Sequence, residues 1–90
     1  QVESCYELQG MAMAAAASGN ATRALRLASA AESNIRKLGV DVIPPFWVGL
    51  VDRHVAMARG ELGEEQAQAA WAAGLAMSMG EAVTEALRAP

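Results

Sequence analysis

The chain has little of what usually marks chemistry in a sequence. Its 90 residues hold one cysteine, one histidine, two tryptophans, one tyrosine and one phenylalanine. A lone cysteine, Cys5, excludes an internal disulfide and fits a reducing, cytoplasmic compartment. His54 has no second histidine and no nearby cysteine with which to share a metal, and no P-loop, G-x-G-x-x-G or zinc spacing occurs. Basic residues are outnumbered, seven against ten acidic, for a net charge of -3. That balance suits neither a phosphate backbone nor a basic patch, so direct nucleic-acid binding by this segment is not expected. The longest apolar run, Met11 to Ala17, is far shorter than the roughly 20 residues a membrane span needs. No basic-then-apolar leader precedes it. The expectation is a segment with no catalytic residue, no metal, no cofactor and no membrane.

Strand formers are scarce too. They gather only at Val40, Val42 and Ile43, and Pro44-Pro45 ends that run. What fills the space is alanine: hydrophobic residues make up 53% of the chain while aromatics make up 4%, so the apolar content is small and helix-forming. The length allows one small domain. The reading is all-α: a five-helix antiparallel array over residues 1–90, with a helical hairpin in 1–39 and three further helices in 44–88. The chain opens on Gln1 almost inside a helix, and reads as a fragment of a larger protein.

Apolar spacing and capping signals place the helices. The first runs from about Val2 to Ser18, with Cys5, Leu8, Met11, Ala12 and Ala15 on one face. Gly19 then supplies a left-handed stop, and Asn20 caps the next helix. That helix, Ala21 to about Leu38, turns Ala24, Leu25, Ala28, Ala31, Ile35 and Leu38 inward and ends at Gly39. Pro44-Pro45 opens the third, where proline's missing N–H costs nothing; it runs to about Arg59 with Trp47, Leu50, Val51, His54 and Ala58 on one stripe. The fourth, about Glu64 to Met77, places Ala67, Ala70, Trp71, Gly74 and Leu75 together. Ser78 and Glu81 then form an S-x-x-E capping box for the fifth, about Met79 to Arg88. Connections this short predict that successive helices pack antiparallel.

Most remaining polar residues have a plain structural explanation. His54 reads as a packed or partly exposed histidine and Cys5 as a small buried hydrophobe. Glu64 and Glu65 sit where a helix dipole favours acids. Arg23, Arg26 and Lys37 read as the solvated side of the second helix. The methionines Met11, Met13, Met57, Met77 and Met79 read as core filling. Gly10 and Gly74 fall inside helices, where each costs about 1 kcal/mol against alanine. A close helix crossing is expected to compensate, beside Trp71 in the case of Gly74.

The first two helices resemble a tetratricopeptide-like repeat, with small residues at Ala12, Gly19, Ala24 and Ala31 where two helices must approach. Beyond that unit, Ala24-Leu25-Arg26-Leu27-Ala28-Ser29-Ala30-Ala31-Glu32, then Leu38-Gly39 and Pro44-Pro45, resembles a run common in actinobacterial regulators. Ala70-Trp71-Ala72-Ala73-Gly74-Leu75-Ala76-Met77-Ser78 with Glu81-Ala82-Val83 resembles the end of the same region. The family is the STAND class of signal-transducing NTPases, many ending in a LuxR-type helix-turn-helix domain and some linked to an adenylate cyclase. The resemblance spans Leu8 to Leu87. Gly19-Asn20 departs from the family's Gly-Asp turn, and Met79-Gly80 stands where Leu-Glu is common.

That resemblance implies a non-catalytic helical sensor or scaffold segment. Its partners would be neighbouring domains, another copy of itself or a small-molecule inducer. The nucleotide-binding and DNA-binding units of such regulators would lie outside these residues. The same scaffold attached to a cyclase, or a free-standing dimerisation or adaptor protein, is the alternative. Trp71, Gly74, Ser78, Glu81, Gly19, Ala24 and Met13 are the structural and interaction residues expected to matter. Met13, with Tyr6, Gly10 and Ala17, forms a second apolar side of the first helix and is expected to seek a partner in self-association.

Overall fold

A computed structural model describes residues 2–39 and 44–88, which form five helices and, among those residues, no strand: α1 (Val2–Ala17), α2 (Ala21–Leu38), α3 (Pro45–Glu61), α4 (Glu64–Leu75) and α5 (Met79–Leu87). The linker expected at Val40 to Ile43, the inward side chain expected of Leu38, and Ala89-Pro90 lie outside the described residues and side chains.

The helix ends follow the local chemistry. Gly19 adopts φ +85°, its N–H donates to Ala16 O, and the Asn20 N–H reaches back to Ala15 O at 2.8 Å. This pair of bonds is a Schellman stop, which spends two carbonyls that α1 would otherwise leave unpaired. The Asn20 side chain then accepts from the Arg23 N–H to cap α2, and Gly39 closes it at φ +70°. Ser78 and Glu81 make both halves of the capping box at the start of α5.

The packing centres on α2. Leu25, Leu27, Ser29, Ala30 and Ala31 are sealed from solvent, and Ala24 and Ala28 nearly so. A helix buried over most of its circumference must be covered on several sides, and α1, α3, α4 and α5 all pack against it. The inward stripe read from the sequence is therefore only part of the buried surface. Leu27, Ser29, Ala30 and Asn34 also lie inside, because neighbours cover what a one-sided helix would show to water. Succession along the chain does not set the later packing: α3 only grazes α4, and α5 settles on α2 and α1.

Polar side chains of α2 hold the ends of its neighbours. Ser33 Oγ donates to Leu75 O, and Asn34 Nδ2 to Met77 O, covering carbonyls at the end of α4. Arg23 Nη2 donates to Ala86 O at 2.6 Å and Arg88 O at 2.7 Å, and Arg26 pairs with the buried Glu85 at 2.8 Å. Arg23 and Arg26 therefore do not form a solvated face. They meet the negative end of α5, where a cation is favoured and the last carbonyls need donors. Lys37 alone of the three is plainly exposed.

Candidate functional site

Two seams along α2 differ in how closely they are packed. At the seam with α4, Gly74 lies directly on α2. A Cβ built there would overlap Ser29 Oγ and Arg26 O, and would stand 2.9 Å from the Arg26 carbonyl carbon. The close crossing expected at Gly74 is thus present, flanked by the buried Ala67 and Ala70. Gly10 has no such neighbour; a Cβ there meets nothing within 4 Å, and the crossing expected at that glycine does not exist. The structure offers no packing account of Gly10.

At the seam with α3 the helices stand apart. Val51 and Ala58 of α3 are buried, and Val55 packs on both core clusters. They face alanines of α2, and two short side chains do not fill the distance between helices. The result is an open cleft of about 330 Å³ walled by Ala28, Ile35, Val48, Val51, Val55 and Trp71. Beside His54 and Met13, the space left between α1, α2 and α3 shrinks to about 10 Å³.

The outer end of α3 is fixed by aromatic contacts. Trp47 sits edge-on to Tyr6, with ring centres 5.8 Å apart, and its indole N–H donates to Gln9 Oε1. These contacts answer the expectation for the second side of α1. Tyr6 and Met13 are half-buried beneath α3, so that side is largely occupied within the chain, and only Ala17 of the expected patch is fully exposed. The sequence concealed this because the cover comes from α3, 38 residues further along the chain in the case of Gln9 and Trp47.

Trp71 stands where the two seams meet. It packs against both core clusters, lines the inner end of the cleft, and carries the Arg59 guanidinium 5.2 Å from its ring centre. It is half-buried rather than sealed. Leu75, expected on the same inward face, is 40% exposed because α4 ends there and its last turn passes the edge of α2. Met11 and Met57 are likewise exposed rather than core, while Met77 and Met79 pack on the core as expected and Met13 is half-buried.

Four polar groups border the cleft. Gln9 is 8% exposed, and its oxygen is taken by Trp47. An indole N–H can only donate, so this bond fixes which way the amide faces and turns the Gln9 NH2 away from Trp47. Among the described residues, the buried side-chain nitrogen or oxygen without a partner is Arg26 Nε, on the other side of α2. Glu32 and Arg36 pair with each other one turn apart on α2, and Asp52 is exposed on α3 with no ion pair among the described residues.

His54 is half-buried with Nδ1 at 2.8 Å from Leu50 O of its own helix, so its ring is engaged locally. Cys5 is sealed, and burial pushes its thiol pKa up, away from the reactive thiolate. Among the described residues, no group of three or more His, Cys, Asp or Glu side chains is arranged to hold a metal ion. No described helix is long and apolar enough to cross a membrane. Comparison with known proteins brings no relative: no family model, curated protein or solved structure matches the chain.

Proposed function

We propose that the chain is a non-catalytic helical sensor or scaffold segment of a cytoplasmic bacterial regulator of the LuxR-type STAND kind, holding a small molecule or protein partner and passing its effect to a neighbouring domain. One observation carries the reading: a single central helix has a tight seam on one side and an open, apolar-walled cleft on the other. An occupant of the cleft would press on α3 while α2 and α4 stay fixed, and that displacement is a signal a neighbouring domain can read. The sequence resemblance around Ala24 to Glu32 and Ala70 to Val83 supplies the regulator context.

The open reading frame around these residues tests the context. The proposal expects an NTP-binding unit encoded upstream and a basic helix-turn-helix unit downstream. A cyclase domain encoded upstream would replace the regulator with the enzyme-linked alternative. Stop codons close on both sides would leave a free-standing adaptor and end the regulator reading.

A further inference from the structure

Helix α5 is attached to the fold mainly by charge. Its buried apolar side chains are two alanines, Ala82 and Ala86, which join the core cluster containing Leu8, Ala12 and Leu27, while Leu87 is 76% exposed. Two methyl groups are a small apolar anchor. The rest of the docking comes from α2, where Arg23 donates to the Ala86 and Arg88 carbonyls and Arg26 pairs with the buried Glu85 carboxylate at 2.8 Å. That pair is finely balanced. Arg26 Nη2 meets Glu85, but Arg26 Nε is buried with no partner, so the guanidinium grips through one donor rather than through two parallel bonds. Undocking returns water to both the carboxylate and Nε, which offsets much of the attraction lost. The Arg26 side chain is also 37% exposed, open enough for salt to screen it.

The break between fixed and movable parts falls at Met77–Ser78. Ser33 and Asn34 hold the carbonyls of Leu75 and Met77, so the chain stays anchored on α2 as far as Met77. The capping box of Ser78 and Glu81 lies wholly within the next segment and travels with it. A helix of nine residues does not persist alone, so release also unravels α5. We infer that α5 is a charge-held latch that opens as a unit through Glu85 while α1, α2 and α4 stay folded, uncovering the apolar surface around Leu8, Ala12 and Leu27.

The latch lies away from the cleft and does not rest on the regulator reading. Native-state hydrogen exchange of the 90-residue chain, followed amide by amide by 1H–15N NMR, tests it. In the wild-type protein, amides from Val83 to Leu87 should exchange through an opening with weaker denaturant dependence than the amides of α2. Gly74→Ala disturbs the seam between α2 and α4, which the latch leaves intact when it opens. It should therefore speed exchange in α2 and leave α5 unchanged. Glu85→Gln keeps the shape of the side chain and removes its charge. It should speed α5 exchange about tenfold, the scale of one hydrogen bond to a charged group. Raising NaCl from about 20 mM to about 500 mM should speed wild-type α5 exchange about threefold, an increment that Glu85→Gln should lose. Equal denaturant dependence in α5 and α2 of the wild type overturns the inference, even if no variant folds. So do an equal response of both helices to Gly74→Ala, α5 exchange indifferent to Glu85→Gln, or the same salt response with and without the Glu85 charge.

Discussion

The two sides of α2 both use short side chains and pack differently. On the α4 side, glycine and alanine meet serine and backbone, so the helices touch along their main chains. On the α3 side, valines meet alanines across a cleft of about 330 Å³. Small residues therefore do not by themselves make a tight interface. They do so only where the partner also comes close, and closeness here is enforced by polar bonds. Ser33 and Asn34 hold the end of α4, while Arg23 and Arg26 hold the end of α5. Helix α3 is instead held at its outer end, through Trp47 on Tyr6 and Gln9, and by the buried Val51 and Ala58, while the cleft opens beside Val48, Val51 and Val55.

This contrast can be broken at four places, in order of expected effect. Trp71 belongs to both sides, and Trp71→Ala should cost about 3 kcal/mol, the lower end for emptying a large aromatic site because the ring is only half-buried. Thermal unfolding would show a fall of more than about 10 °C, and an unchanged melting point would remove Trp71 as the junction. Gly74→Ala adds one methyl group to the tight side and should cost about 2 kcal/mol despite alanine's better helix propensity, since the methyl meets backbone that cannot turn aside. Gly10→Ala is its control: the same methyl meets nothing, so denaturant unfolding should show a gain of up to about 1 kcal/mol.

Arg23→Met keeps an unbranched stem but removes the donors to Ala86 and Arg88. A loss of about 1 kcal/mol is expected, concentrated in faster amide exchange across α5. Exchange that rises equally in α3 would show that the arginine supports the whole fold rather than one end of α5. The smallest effect belongs to the loose side. Val55→Ile adds a methylene beside open space and should be neutral or stabilising by up to about 1 kcal/mol, measured by urea unfolding. A loss as large as that of Gly74→Ala would mean the two sides do not differ.

Helix limits and caps were legible because their signals are local. Gly19, Asn20, Gly39, Pro45, Ser78 and Glu81 act within a few residues of where they stand. The close approach at Gly74 was legible as well, since an alanine-rich helix tolerates a glycine where a neighbour requires it. The arrangement around α2 was not. Reading each helix as half-buried assigned Arg23 and Arg26 to water and left Leu27, Ala30 and Asn34 unplaced, because periodicity reports how apolar a face is and not how many neighbours cover the helix. The cleft was hidden for a related reason. It is a distance between α2 and α3, set by Trp47, Tyr6 and Gln9, and no spacing within either helix encodes it.

The difference in mobility between the two sides is the central claim, and native-state hydrogen exchange measures it directly. Amides of α2 and of α4 near Gly74 should exchange only through global unfolding, with the same dependence on denaturant as the whole domain. Amides in the middle of α3, around Val51 and Val55, should exchange through a smaller opening of lower free energy and weak denaturant dependence. If α3 and α4 exchange through one and the same global opening, the cleft is a static gap between equally fixed helices and the account is wrong.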